Sequence, residues 1–290
     1  MNSKQSKWIF LGVLSLIWGS SFILIKKGLV GLSPLQLGSL RIIFASVFLL
    51  SIGFKSISKI PTRLWKYIVL TSLFGTFIPA YLFAIAQTQI DSSVSSILNS
   101  LTPLNTLVLG TFAFGLEFRR EQIMGIIIGF LGCGMLILNG VFEHSNQNYY
   151  YTFLILIASF CYAINVNLIN KYLSELSPLS ISTGNFLILL FPALAVLCFS
   201  GFFDLTPTFE LKQSVCYIAV LGIIGTGIAN IIFFKIVQMA TPVFATSVTY
   251  LIPVVAFGWG FIDNEKLSPI QFLGALIILI GVYLSAKKKN

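Results

Sequence analysis

The chain has 290 residues, 57% of them hydrophobic and 9% charged, with a mean hydropathy of +0.94, whereas a soluble domain carries about 25% charged residues. So much apolar side chain, 27 Phe among it, exceeds what one soluble core can hide, which excludes a water-soluble globule and points to an integral membrane protein. The net charge of +9 comes without a basic stripe interleaved with aromatics, so the expected partner is the lipid bilayer with its anionic head groups and not nucleic acid.

In chain order, a window of about 19 residues finds ten apolar segments long enough for a bilayer core about 30 Å thick. They cover residues 8–27, 34–54, 64–87, 92–115, 122–141, 150–171, 178–201, 213–237, 241–262 and 268–286. No soluble domain fits between them. Lys4 and Lys7 precede the first segment, but no A-x-A cleavage pattern follows, so it reads as a retained helix. With the N-terminus inside, thirteen Lys and Arg fall on the cytoplasmic side, including Lys55, Lys59, Arg63, Arg119, Arg120 and Lys235. Four fall outside (Lys26, Lys27, Lys212 and Lys266), and Arg41 lies within a span. This bias places both termini in the cytoplasm of a cell (inner) membrane protein. Trp8 and Trp65 at inner boundaries and Tyr149, Tyr150 and Tyr151 at an outer one agree as interfacial anchors.

Little reaction chemistry is available. The single histidine is His144, and Cys133, Cys161, Cys198 and Cys216 are separated by 28, 37 and 18 residues. No CxxC, HExxH or other metal spacing occurs, so the cysteines read as reduced, small apolar residues, and neither a metal nor a cofactor is expected. The carboxylates lie in loops or at helix ends, with no close pair inside an apolar run. An enzyme is therefore not expected.

The two halves align with each other. At an offset of 144, Trp18, Ser21 and Lys27 match Tyr162, Asn165 and Lys171, and Leu32-Ser33-Pro34-Leu35 recurs as Leu176-Ser177-Pro178-Leu179. At 150, Gly75-Thr76, Ile78, Phe83 and Pro103 match Gly225-Thr226, Ile228, Phe233 and Pro253. At about 149, Gln122, Gly125 and Gly132 match Gln271, Gly274 and Gly281. Residues 1–144 and 145–290 thus read as two five-helix repeats. Because five is odd, the second must enter the membrane inverted. Equivalent loops carry opposite charge as inversion requires: Lys55, Lys59 and Arg63 against Asp204 and Glu210, and Arg119-Arg120 against Asp263 and Glu265. The expected fold is all-α, ten transmembrane helices as two inverted five-helix repeats, an architecture suited to alternating access around a midplane site.

Polar residues inside spans must face protein or water. In the fourth segment Ser92, Ser96, Asn99, Pro103, Thr106 and Gly110 share one helical face, and in the ninth Pro242, Thr246, Thr249, Pro253, Ala256 and Gly260 do. Such a face suits either close helix packing or a cavity wall. Pro103 and Pro253 each remove a backbone donor and are expected at hinges or helix breaks. Trp18, Ser20, Ser21, Tyr81, Tyr162, Asn165, Asn167, Asn185, Asn230 and Tyr250 are the other intramembrane polar groups. The set expected to bind substrate is Trp18, Ser21, Arg41, Tyr81, Asn99, Tyr162, Asn165, Asn230, Thr246 and Tyr250. Arg41 stands about 10 Å below the outer surface at 1.5 Å per residue. An arginine there costs at least about 2.5 to 3.5 kcal/mol, so it is either a functional cation or one held by carbonyls. With no acid or histidine at depth, facilitated diffusion or exchange is expected over proton antiport.

Trp18-Gly19-Ser20-Ser21-Phe22 with Lys26-Lys27, Arg41 in the second span, and Pro103 and Pro253 before small-residue stretches, all within a duplicated ten-span frame, resemble the EamA family of the drug/metabolite transporter superfamily. The resemblance covers nearly the whole chain. It implies a central cavity lined by both halves and export of amino acids, metabolites or toxic organic compounds. The second half departs from the first, with Tyr162-Ala163 in place of Trp18-Gly19 and Asn185 in place of Arg41. A small-molecule solute carrier working as a monomer or weak dimer is the leading expectation. A lipid scramblase or flippase, its polar residues opening sideways to lipid, is the alternative, and an intramembrane enzyme has no constellation to support it.

Overall fold

The computed structural model describes residues 3–90, 92–117, 119–141, 149–262 and 269–285. Asp91, Glu143, His144, Asp263, Glu265, Lys266 and Lys287 to Lys289 lie outside the described residues, as do the side chains of Lys4, Ser92, Cys133, Tyr149, Ala256, Gly260 and Gln271.

Every regular element among the described residues is helical. Helices α1 (Ser3–Gly28) and α2 (Pro34–Gly53) are followed by α3 (Trp65–Ser72) and α4 (Ile78–Ala86), which a π-helical stretch, Leu73–Phe77, joins into one rod. Then come α5 (Ser92–Asn99), α6 (Thr102–Phe112) and α7 (Arg120–Val141). The second half repeats this order with α8 (Thr152–Tyr172), α9 (Pro178–Phe199), α10 (Phe209–Val220), a second π-helical stretch (Leu221–Ile228) and α11 (Ala229–Met239). It ends with α12 (Pro242–Thr246), α13 (Val248–Ile262) and α14 (Pro269–Ser285). Six runs, Gln5–Gly28, Pro34–Lys59, Thr62–Ala86, Thr152–Tyr172, Pro178–Phe199 and Phe209–Met239, are each long and apolar enough to cross a membrane.

The repeated Leu-Ser-Pro-Leu motif has the same local role in both halves. Ser33 Oγ accepts from the Gln36 amide at 3.4 Å while Gln36 Oε1 accepts from the Ser33 amide at 2.9 Å, a capping box in front of α2. Ser177 Oγ accepts from the Ser180 amide at 3.0 Å in front of α9. Pro34 and Pro178 follow each cap at the first helical position, where a missing N–H costs nothing.

The fourth and ninth segments differ from the single helices expected. The fourth breaks at Ser100 and Leu101, so Pro103 stands in the first turn of α6 instead of interrupting a helix. The ninth breaks at Ser247, and α13 continues through Pro253 to Ile262. Pro253 removes one ladder bond, a local loss that the surrounding turns bridge.

Helices from opposite halves interlock. α2 packs along α9 and α7 along α14, while α1 lies against α10, α11, α13 and the second π segment. Correspondingly, α8 lies against α3 to α6 and the first π segment. Glycine permits the α7–α14 approach: a Cβ on Gly281 would stand 2.6 Å from the carbonyl oxygen of Gly125, and one on Gly132 would stand 2.9 Å from that of Gly274. The largest apolar cluster includes Leu14, Ile68, Val166, Ile169, Phe234 and Phe244, so it too draws on both halves. Leu16, Val47, Phe112, Phe160, Phe191 and Phe199 are exposed, an apolar exterior suited to lipid.

Candidate functional site

A cavity lies where α1, α2, α8, the two π segments and the broken segments α5–α6 and α12–α13 converge. About 80 Å³ of it is open to the centres of water molecules, several times what one water requires. Phe22, Ile25, Phe83, Phe233 and Ile252 supply apolar wall, and the polar groups come from both halves.

Eight of the ten expected binding residues meet here: Trp18, Ser21, Arg41, Asn99, Tyr162, Asn165, Asn230 and Thr246. Two do not. Tyr81 is buried among α2, α4 and α9 with its hydroxyl 2.9 Å from Ser39 Oγ, and the fully buried Tyr250 donates to the carbonyl of Ile126 at 3.1 Å. Each phenol already has a partner, as a buried Tyr requires. Ser20 bonds the Leu16 carbonyl, Asn167 donates to Thr106 O at 3.1 Å and Ala163 O at 3.0 Å, and the Asn185 amide meets Thr71 Oγ1 at 3.0 Å. These three join helices or bond their own turn and do not line the cavity.

The polar face of the fourth segment divides the same way. Ser96, Pro103, Thr106 and Gly110 are buried against neighbouring helices, and the adjacent Asn105 donates to Ser159 Oγ on α8 at 2.9 Å. Of that face Asn99 reaches the cavity, along with Thr102, whose hydroxyl donates to the Asn99 carbonyl at 2.7 Å. In the ninth segment Thr246 and Thr249 line it.

The π segments shape the polar wall. Trp18 Nε1 donates to the carbonyl of Gly225 at 3.0 Å, and Arg41 Nε donates to Thr226 Oγ1 at 2.7 Å. Both acceptors belong to the Leu221–Ile228 stretch, whose glycines admit close neighbours: a Cβ on Gly222 would stand 2.8 Å from the Arg41 carbonyl and one on Gly225 3.0 Å from Ser21 Oγ. The first half mirrors this, since a Cβ on Gly75 would stand 2.6 Å from Cγ of Asn165. Asn165 is 2% exposed and its Oδ1 has no hydrogen-bond partner among the described residues. Among the described residues no carboxylate lines the cavity, and the one ion pair, Arg63 with Glu175 at 2.7 Å, is elsewhere. Lys27 sits over the Tyr217 ring and Lys235 over the Phe10 ring, both exposed.

Thr76, Thr102, Thr226, Thr249, Phe83 and Phe233 line the site without standing among the expected binders. A signal for four of them was present: Thr76 and Phe83 recur as Thr226 and Phe233 at the repeat offset of 150.

The family model for the EamA-like transporter family matches residues 6–138 and again 150–287. A probable amino-acid metabolite efflux pump of Salmonella typhimurium is 30% identical over 95% of this chain and 93% of its own length. The uncharacterized transporter YoaV of Bacillus subtilis is 24% identical over 96% of each chain, and the uncharacterized inner membrane transporter YedA of Escherichia coli is 28% identical over 94% of this chain and 88% of its own. A solved crystal structure shares the fold with a TM-score of 0.74 over 97% of this chain and 96% of that one, at 14% identity. With two family matches spanning its halves, the apolar helices to cross a bilayer and a cavity lined from both halves, the chain belongs to the EamA-like transporter family and is a multi-pass membrane transporter.

Proposed function

We propose that the chain exports small organic solutes carrying a carboxylate, amino acids or related metabolites, by alternating access through the cavity between two inverted five-helix repeats, residues 1–144 and 145–290. The observation that carries this reading is Arg41: a guanidinium on the wall of a largely apolar cavity, with no carboxylate beside it among the described residues. A cation in such a place is costly unless something neutralises it, and a bidentate carboxylate on the solute does so with matching geometry. The Asn99, Asn165, Asn230, Tyr162 and Thr246 side chains offer neutral donors and acceptors for the remainder of the solute. Trp18, Tyr162 and Phe233 offer aromatic faces to an ammonium or an apolar substituent.

Ten crossings with both termini cytoplasmic fit the contacts at the helix ends. Arg63 meets Glu175 and Lys171 Nζ donates to the Phe114 carbonyl at 2.8 Å, all on the side assigned to the cytoplasm. Gly31 meets Ser214 Oγ at 3.1 Å and Gln36 donates to the Ser200 carbonyl at 3.0 Å on the other. The cavity polar groups gather around one space between the halves, which favours a carrier over a scramblase groove. With no acid or histidine lining it among the described residues, facilitated diffusion or exchange is the proposed mode.

The test is flux of a radiolabelled amino-acid panel in proteoliposomes, with and without an imposed pH gradient. Saturable flux that needs no gradient and falls at least about tenfold in Asn99→Ala or Asn165→Ala is expected. Uphill flux that requires the gradient would refute the facilitator mode, and absence of flux for every amino acid would refute the substrate class.

A further inference from the structure

Arg41 and Thr226 come from different halves, and the hydroxyl between them is fully committed. Thr226 Oγ1 donates to the Leu221 carbonyl at 3.1 Å, five residues back, the spacing of the π-helical turn it belongs to. A hydroxyl has one proton. With that proton turned to Leu221, a lone pair faces the Nε–H of Arg41 at 2.7 Å. Thr226 is 3% exposed, so solvent has little access with which to replace either bond. The backbone of Arg41 is fixed against the same stretch, where a Cβ on Gly222 would stand 2.8 Å from its carbonyl oxygen. Root and neck of the arginine are therefore both seated on Leu221–Ile228. Among the described residues Nε alone of the guanidinium is hydrogen-bonded, which leaves the four N–H donors of the two terminal nitrogens to the cavity that Arg41 lines.

The repeat-equivalent place in the other half lacks this device. Thr76 occupies the position of Thr226, but Asn185 stands where Arg41 would be, and its amide is engaged with Thr71 at 3.0 Å. Among the described residues, Arg41 is the one guanidinium lining the cavity.

We propose that Thr226 is a positioning residue that locks the neck of Arg41 so that its terminal fork presents two parallel donors to an ionised carboxylate. The pair makes the carrier selective for solutes with a free carboxylate over their esters and amides. The inference rests on the assignment of Arg41 to the solute made above. A pre-aimed fork forms both bonds without first giving up side-chain freedom, and a planar pair of donors matches a carboxylate and not a carboxamide, which offers one acceptor.

The experiment compares wild type, Thr226→Val, Thr226→Ala, Thr226→Ser and Arg41→Ala in proteoliposomes, using the radiolabelled amino-acid panel with methyl esters and carboxamides of the same amino acids as competitors. Valine keeps the shape of threonine and removes the acceptor; serine keeps the acceptor. Thr226→Val is expected to raise KM about tenfold to a hundredfold with kcat little changed, and to erase the preference for acid over amide and ester, while Thr226→Ser retains both. In parallel, the 15Nε–H signal of Arg41 in nanodiscs, identified by its loss in Arg41→Lys, should exchange slowly with water in wild type and Thr226→Ser, and quickly in Thr226→Val or Thr226→Ala.

If Arg41→Ala abolishes flux while Thr226→Val and Thr226→Ala keep KM, the acid preference and slow exchange, the positioning role is overturned and the reading of Arg41 stands. A fall in kcat for every solute with KM untouched would mark a merely structural threonine and overturn the proposal as well. Unchanged flux in Arg41→Ala, or no flux of any panel member in wild type, defeats the underlying reading and the inference with it.

Discussion

Arg41 and Asn185 stand at equivalent places in α2 and α9, yet Arg41 lines the cavity and bonds Thr226 across the boundary between halves, whereas Asn185 turns to Thr71 on α3. Both helices are serine-capped and proline-started and they pack along each other, but α2 lies against the π-helical Gly-Thr stretch of the opposite half whereas α9 lies against α3 and α11. The difference teaches that equivalent positions in the two repeats meet different neighbours, so the charge at Arg41 is paired with a π-helical threonine that Asn185 does not meet. On the proposed reading, inverted repeats rock between two similar conformations, while a cation on one helix alone would hold one anionic group in one orientation.

The largest effect that could break this comparison is at the arginine itself. Arg41→Ala is expected to lower the carboxylate flux by more than about a hundredfold, and Arg41→Lys should not restore it because an ammonium lacks the fork. Asn185→Ala should cost about 1–3 kcal/mol of stability, read as a lower melting temperature in detergent, and leave the KM of the protein that folds near that of wild type. Equal loss of affinity from both would contradict an asymmetric site.

Next in size are the packing glycines. Gly281→Ala puts a methyl against the Gly125 carbonyl and the backbone of Gly129, where overpacking costs about 1–3 kcal/mol. Gly12→Ala meets nothing within 4 Å and should be neutral or stabilising by up to about 1 kcal/mol. Melting temperatures of the two variants check the pair, and a stable Gly281→Ala would contradict the close α7–α14 contact.

A smaller change sharpens the contrast between Trp18 and its repeat partner. Trp18→Phe removes the bond from Nε1 to the Gly225 carbonyl, worth about 1 kcal/mol, and is expected to raise KM about fivefold. The smallest change is Arg63→Ala. Its ion pair with Glu175 joins side chains 71% and 50% exposed, so melting should shift by less than the equivalent of about 1 kcal/mol and flux should be unaltered.

Much of this molecule is legible in its sequence because membrane chemistry leaves few choices. Apolar runs give the helices, the repeated Leu-Ser-Pro-Leu motif gives two helix starts, and matches at fixed offsets pair the elements that interlock. Most expected binders reach the cavity because a polar group at membrane depth must face protein or water. That rule does not say which interior a group faces. Tyr81 and Tyr250 satisfy it through Ser39 and the Ile126 carbonyl, and Asn167 through the α6 backbone. Pro103 and Pro253 marked the neighbourhood of the breaks but not their places, since a proline in a first turn is compatible with a helix and one inside α13 is bridged by its neighbours. Thr226 stands among the repeat matches but not among the expected binders, because a threonine within an apolar helix commonly bonds its own turn; its bond to a second-half carbonyl and to a first-half arginine at once is a property of the folded chain.

The central claim is that one anion-binding fork, contributed by α2 and seated on the opposite half, selects the solute. Equilibrium binding of the radiolabelled amino-acid panel to the purified protein tests it most directly, with wild type, Arg41→Ala and Asn185→Ala side by side. The account predicts one site per chain, lost in Arg41→Ala and kept in Asn185→Ala. Two equivalent sites, or binding that survives Arg41→Ala, would contradict it.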